Sequence, residues 1–185
     1  MRKVVAGLFM SLDNVVASPG KWGSPYMNAE MQAVISAGTA QSDAILLGRR
    51  TYLEFAELWP KQSNDAPMAA FMNNMPKYIV SSTLNTLTWA NARLLAGDLA
   101  AALTKLKQQP GKNILIPGSP RLVWSLLRDG LLDELSLMIA PIVVGSGMRL
   151  FDELTDPVHL KLVEAKTLST GLLSVTYQPS FEGGA

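Results

Sequence analysis

Gly48, Arg49, Arg50 and Thr51 follow a short apolar run, Asp43 to Leu47, and precede a helix-compatible segment from Tyr52 to Leu58. These residue types in this order suit an anion. A glycine lets backbone approach a ligand closely, and the first N–H groups of a helix have no partner within it. The positive end of the helix dipole lies at the same place. Two guanidinium groups add planar, charge-assisted bonds that match phosphate oxygens. The same pattern also describes a plain strand–helix junction with solvated arginines. A second turn of similar type is Gly118-Ser119-Pro120-Arg121-Leu122, where a proline at the helix start is compatible with the geometry. Ser81, Ser82 and Thr83 place three hydroxyls after an apolar run, and Ser11-Leu12-Asp13 follows the first such run.

Two carboxyl groups are candidates for proton chemistry. Asp13 stands directly after the first apolar run, although Asp13-Asn14 is equally good turn chemistry. Glu30 lies on a helix-compatible segment, where a solvated face is the simpler reading. Between them, the Gly-, Ser- and Pro-rich stretch around Trp22 and Tyr26 fits either a mobile lid with stacking surface or an ordinary surface loop. Ser81 and Ser82 have no base or oxyanion turn beside them, which excludes a serine hydrolase. His159, the lone histidine, has no partner for a triad or a metal.

The segments that must hold these residues alternate between strand and helix. Val4 to Met10 is a continuous apolar run, typical of a strand buried on both faces. Residues 13–25 read as a loop. Asn28 is a helix N-cap before a helix to about Ala37, with Met31, Val34 and Ile35 on one face. Ala44–Leu47 is a second strand, followed by the helix from Thr51 and a short helix over Met68–Met75. Lys77–Ser81 and Ala92–Leu95 are strands. Leu99–Gln108 is an amphipathic helix stopped by Pro110-Gly111. Ile114–Ile116 is a strand, Pro120–Asp129 a helix ended by Gly130, and Leu135–Ile139 a strand broken by Pro141, with Ile142–Val144 as a further pairing segment. Leu160–Thr167 and Leu172–Tyr177 form a closing hairpin. This alternation predicts an α/β domain around a largely parallel sheet with an antiparallel C-terminal edge. One domain over residues 1–180, with a short tail at 181–185, accounts for the chain.

Composition narrows the partners. The chain has 185 residues, 48% hydrophobic, a formal net charge of +1 and no cysteine. A near-neutral surface argues against nucleic acid, and the missing cysteines remove disulfides and thiolate ligands. The N-terminal apolar run is too short and too soon interrupted for a signal peptide, and nothing approaches a membrane span. A cytoplasmic protein is the expectation.

Four motifs thus fall at strand ends, where open α/β sheets bind ligands. Together with "GLFMSLDNVVA", "DAILLGRRTYLEF", "KYIVSSTL", "ILIPGSPRLVWSLLRDGLLDELSLMIAPIVVGSGMRLF" and "TLSTGLLSVTYQP", they resemble the dihydrofolate reductase-like superfamily. The resemblance is to the branch of the riboflavin biosynthesis reductase domain, and it spans residues 1–178. Its most specific part is Gly-Leu-x-Asp-Glu-Leu followed by Pro-x-x-x-Gly-x-Gly-x-x-Leu-Phe.

The resemblance implies a three-layer fold and a bound NADPH. It assigns Gly48, Arg49, Arg50 and Thr51 to cofactor phosphates, and Ser81, Ser82 and Thr83 to the adenosine ribose and its 2′-phosphate. Gly118, Ser119, Arg121 and Leu122 go to the pyrophosphate. Many relatives carry a second glycine where this chain has Ser119, whose hydroxyl is small enough to keep binding. Asp13 and Glu30 become the candidate acids, and Trp22 and Tyr26 line the substrate side. Asp133-Glu134 orients the strand after a helix, so no metal is expected. The implied activity is hydride transfer to a C=N or C=O group of a pterin-like, pyrimidine-like or carbonyl substrate, in a homodimer paired through the strand at Leu135–Ile139 and the C-terminal hairpin. The alternative on the same scaffold is a nucleotide-binding module without catalysis.

Overall fold

A computed structural model describes residues 1–95, 97–152 and 154–180; the expected tail, 181–185, lies outside the described residues. One eight-stranded sheet runs through the molecule. Its strands are β1 (Val4–Ser11), β2 (Ser42–Gly48), β3 (Lys77–Val80), β4 (Ala92–Leu95), β5 (Asn113–Pro117), β6 (Glu134–Ala140), β7 (Leu160–Thr167) and β8 (Leu173–Pro179). Their spatial order is β4-β3-β2-β5-β1-β6-β8-β7. From β4 to β6 all neighbours are parallel, while β8 runs antiparallel to both β6 and β7. The predicted α/β class and antiparallel edge are therefore the ones found.

Helices cover both faces. They are α1 (Pro19–Trp22), α2 (Ala29–Ala40), α3 (Arg49–Leu58), α4 (Pro67–Asn74), α5 (Leu99–Gln108) and α6 (Pro120–Arg128). Strand alternation sends Val4, Ala6, Leu8 and Met10 to one face, where they pack with Leu103 and Leu106 of α5 and Val123, Leu126 and Leu127 of α6. The strongly amphipathic sequence of α6 explains why it seals that face. On the opposite face Ile45, Leu47 and Ile79 pack with Tyr52 of α3, Met72 of α4 and Trp89. A third cluster joins Met31 of α2 to Leu168 and Leu172 at the β7–β8 turn. As expected, Asn28 caps α2: its side-chain oxygen accepts from the Met31 N–H at 2.9 Å.

Some boundaries differ from the sequence expectation for local reasons. The 13–25 stretch contains α1 and a 3-10 turn over Ser24–Tyr26, each with a proline in its first turn. Residues 142–144 form no strand; instead the Ile142 carbonyl accepts one bond from the Leu12 N–H, at 2.9 Å. The strand at Leu135–Ile139 lies between β1 and β8 and has no free edge; Leu135 and Leu137 are buried on one face, while Ser136 and Met138 on the other are half-buried and line a cavity. Exposed apolar residues lie instead on the hairpin, at Leu162, Val163 and Leu173.

Lys77 starts β3 fully buried, an unusual place for an ammonium. Its Nζ donates to the carbonyls of Asn73 (3.0 Å), Met75 (2.9 Å) and Ala90 (3.0 Å), and it sits 4.5 Å from the Trp89 ring centroid. It thereby joins the end of α4 to the turn before β4. Burial pushes its pKa down to about 8. We predict that Lys77→Met lowers stability by about 2 kcal/mol, because three carbonyls lose their donor. Between pH 8 and 10 the unfolded chain holds the proton that the folded chain releases, so wild type gains stability there relative to the variant. Urea unfolding of both proteins across that range measures the difference.

Candidate functional site

β5 lies between β1 and β2, so the C-terminal ends of these three strands meet at one edge. A cavity of about 1020 Å³ runs along one face of the sheet, over β6, β8 and β7 as well, and reaches this edge. Gly7 and Phe9 of β1 and Leu115 of β5 form its sheet side, and Val34 and Ile35 of α2 line it from the helix layer. At the strand-end rim stand Arg50, Thr51, Gly118 and Ser119; Val16 to Pro19 form a further wall. The sheet side is bare at Gly7, where an added Cβ would meet only Leu115, at 3.8 Å.

The two glycine turns are adjacent and bonded. Gly48 is the N-cap of α3, and its N–H donates to Ser119 Oγ at 3.0 Å. Gly118 has φ +104°, a conformation that demands glycine, and its N–H donates to the Gly7 carbonyl at 3.1 Å. Thr51 touches the same turn, since a Cβ on Gly118 would lie 3.7 Å from Thr51 Cγ2. Arg49 is exposed at the start of α3. Arg50 bonds Glu54 one turn along, at 3.1 Å, and both line the cavity. Arg121 is exposed at the start of α6, whereas Leu122 is buried in the core beneath Gly48. Leu122 therefore packs the turn from behind.

Gly48, Arg49, Arg121 and Leu122 are not among the lining residues, and the remaining expected site residues also stand away from the cavity lining. Ser81 closes its own turn, its Oγ accepting from the N–H groups of Thr83 (3.2 Å) and Leu84 (3.1 Å); Ser82 and Thr83 are exposed. Trp22 stacks on Phe9 with centroids 4.9 Å apart and donates to the Ala17 carbonyl at 3.0 Å. It anchors the loop whose residues Val16 to Pro19 face the cavity. Tyr26 packs against the Met31–Leu168–Leu172 cluster, its hydroxyl 3.5 Å from the Pro141 carbonyl.

Neither candidate acid lines the cavity. Asp13 accepts from the Ser11 hydroxyl at 2.7 Å and from the N–H groups of Val144 (3.0 Å) and Gly145 (2.8 Å). Arg149 donates to its carbonyl at 3.1 Å. Asp13 thus ties the end of β1 to the 142–149 loop. The Ser11 and backbone donors hold its pKa near 2, so at neutral pH it carries no proton to give. Glu30 accepts from the N–H and the hydroxyl of Ser169, both at 2.7 Å, which holds its pKa below the ordinary carboxylate value. It fastens α2 to the β7–β8 turn. Asp133 has a comparable part, accepting from the Val4 N–H and the Lys107 ammonium, both at 2.7 Å.

Sequence reasoning passed over Phe9, Glu54 and Ser18. Phe9 looked like one more core residue. Glu54 carried a signal, its i,i+4 spacing from Arg50. Ser18 has φ +48° directly before a proline, a strained setting that no sequence pattern announces.

A sequence profile of the RibD C-terminal domain matches residues 2–174. The chain belongs to that family. Among curated proteins, the uncharacterised YyaP of Bacillus subtilis (strain 168) is 30% identical over 140 residues, 74% of each chain. Among solved structures, a putative riboflavin biosynthesis protein from Shewanella sp. PV-4 superposes with a TM-score of 0.72 at 19% identity, covering 97% of this chain and 99% of that one. Dihydrofolate reductase from Enterococcus faecalis, solved with NADP(H), gives a TM-score of 0.64 at 14% identity, covering 97% of each chain. At such identities the likeness is one of fold, and it is the dihydrofolate reductase-like fold expected from the motifs.

In this RibD C-terminal domain the Asp13 clamp is testable by acid. A carboxyl held below its unfolded value adds stability above the unfolded pKa, near 3.9, and loses it as pH falls through the folded value. We predict that wild type loses stability between pH 4 and 2 and that Asp13→Asn lacks this component. Urea midpoints measured across that range decide, and coincident acid limbs would contradict the clamp.

Proposed function

We propose that this chain is an NADPH-dependent oxidoreductase that transfers a hydride to a C=N or C=O group of a small heterocyclic, pterin- or pyrimidine-like, or carbonyl substrate. The observation that carries the reading is the pair of bonded glycine turns at the ends of parallel strands, where a largely apolar cavity along the sheet reaches them. The turn residues fit a dinucleotide. Gly118 and Ser119 would hold the pyrophosphate at the start of α6, with Arg121 above them and Leu122 supporting the turn. Gly48, Arg49, Arg50 and Thr51 would hold the adjoining phosphates, and Ser81, Ser82 and Thr83 the ribose 2′-phosphate. The cofactor supplies the hydride when bound. Phe9, Val34, Ile35 and Leu115 would exclude water around a flat acceptor ring, with Trp22 and Tyr26 fixing the loop that closes the site.

Asp13 and Glu30 enter this reading as positioning residues, because both carboxylates are occupied by hydrogen bonds away from the cavity. The proton that accompanies the hydride then reaches the acceptor from water or from a cavity hydroxyl. The same observation supports the second reading, a nucleotide-binding module without turnover. A homodimer formed through the β7–β8 hairpin and a cytoplasmic location complete the proposal. Leu162, Val163 and Leu173 support the first; for the second, no helix among the described residues is long and apolar enough to cross a membrane.

Titration with NADPH, followed by nucleotide fluorescence, tests the reading. Arg50→Ala is expected to weaken binding about tenfold, the worth of one charge-assisted phosphate contact. Glu54→Gln frees Arg50 from its partner and strengthens binding roughly twofold, as expected for an exposed pair. No binding of NADPH would overturn the proposal. Binding without NADPH oxidation across pterin, pyrimidine and carbonyl acceptors would select the non-catalytic module.

A further inference from the structure

The cavity extends well past the two turns, and its far part can hold only what its side chains recognise. Among the described residues five charged side chains line it: Arg50, Glu54, Glu134, Glu164 and Lys166. All five are paired within the protein. Arg50 Nε donates to Glu54 at 3.1 Å, and Lys166 Nζ lies 2.7 Å from Glu164 Oε1. Glu134 accepts from the Lys3 ammonium and, at 3.1 Å, from the Gln178 side-chain amide. Two cations against three carboxylates leave the lining without a positive balance.

These charges also stand at the margins. Arg50 and Glu54 are on α3 at the rim, Glu134 starts β6, and Glu164 and Lys166 are on the edge strand β7. In register, Phe9 pairs with Met138, Met138 with Ser174, and Ser174 with Lys166. Three strand spacings, about 14 Å, therefore separate Phe9 from the cation of its row. Nearer to Phe9 lie Gly7, Leu115 and Met138 on the sheet and Val34 and Ile35 on α2, none of which ionises. The hydroxyls of Ser136 and Thr176 bond each other at 3.1 Å. Asp13 and Glu30 spend their carboxylates on Val144, Gly145 and Ser169.

A phosphate or carboxylate placed over this stretch would lose water without gaining a cation, which is unfavourable. A pterin or aminopyrimidine edge presents adjacent N–H donors that call for a carboxylate in its plane, and each lining carboxylate already serves a donor of the protein. A neutral ring meets neither cost. Gly7 leaves the sheet bare beneath it, and the apolar side chains around it gain by covering it. Resting on the NADPH reading above, we propose that the acceptor of this chain is an uncharged aromatic ketone or aldehyde without a phosphate group, lying on the sheet over Gly7 and beneath Val34 and Ile35. The acceptors named above thereby narrow to the carbonyl class, and pterins and phosphorylated pyrimidines are set aside. Reduction adds the hydride to the carbonyl carbon and a proton from water to its oxygen, giving an alcohol and NADP+.

Calorimetric titration of the NADP+-loaded protein reads acceptor binding without turnover. Three probes share one ring system: acetonaphthone, acetylnaphthoate and acetylnaphthyl phosphate; pterin is the fourth. Acetonaphthone should bind at least about tenfold more tightly than each of the others. Equal or tighter binding of the phosphate or of pterin would overturn the inference and leave the NADPH reading standing. Failure of wild type to bind NADP+ would overturn both. Val34→Lys locates the probe, because it sets a cation on a half-buried helix position where lysine suits the backbone. The variant should bind acetylnaphthyl phosphate about fivefold more tightly than wild type does, and acetonaphthone more weakly. A variant that keeps the wild-type affinities for both would place the ketone outside this cavity and overturn the inference.

Discussion

The parallel insertion of β5 between β1 and β2 is the constraint on which the site depends. It places Gly118 one strand away from Gly48 on one side and lets its N–H bond the Gly7 carbonyl on the other. Neighbouring strands are about 4.8 Å apart, so the two turns that follow β2 and β5 are forced into contact. Two helix starts, α3 and α6, then open on one rim with their unpaired N–H groups and positive dipole ends together. None of this requires a ligand. It follows from apolar strands that satisfy their backbone in parallel ladders and from helices that need a tight turn to leave them.

A second layer of long-range polar bonds sets the walls. The 142–149 loop and the 13–18 loop grip one another: Val16 N–H donates to the Met148 carbonyl at 2.9 Å and Leu150 N–H to the Asn14 carbonyl at 3.0 Å. Gly147 has φ +130°, and a Cβ there would come within 2.8 Å of Val15 Cγ1. Close packing against the β1 loop thus explains Gly147, whereas Gly145 has open space around it and is set by its φ of +84°, with the Asp13 carboxylate as the fastener. Glu30 does the equivalent for α2 and the β7–β8 turn. Both carboxylates thus hold loops and a helix in place around the cavity.

Most elements were legible because their signals are local. α5 and β4 fall where the apolar pattern and the Pro110-Gly111 stop put them, and Asn28 caps its helix as its position suggested. The anion-suited turns were legible for the same reason, since glycine, arginine and hydroxyl residues cluster within a few positions. What escaped was decided across the chain. Asp13 meets Val144 and Gly145 more than 130 residues away, and Glu30 meets Ser169 after 139. A carboxyl next to a strand end gives no sign in the sequence of the distant donors it accepts from. Likewise Leu122 lay inside a motif, yet its apolar side chain belongs to the core, and helical spacing in α6 already put it on the same face as Leu126.

The departure at Ser119 shows how a fold tolerates a change at its most demanding turn. A glycine there would adopt the left-handed backbone freely and leave Gly48 N–H unsatisfied on the rim. Serine is strained in that backbone, but its oxygen takes the Gly48 N–H in return. Strain and hydrogen bond are of similar size, on the order of 1 kcal/mol each, so the exchange is close to neutral for folding. What the exchange adds is a fixed link between the turns that follow β2 and β5, present before anything binds. Preorganisation of this kind shifts the work of ordering the site from binding to folding, and it does so with one side chain.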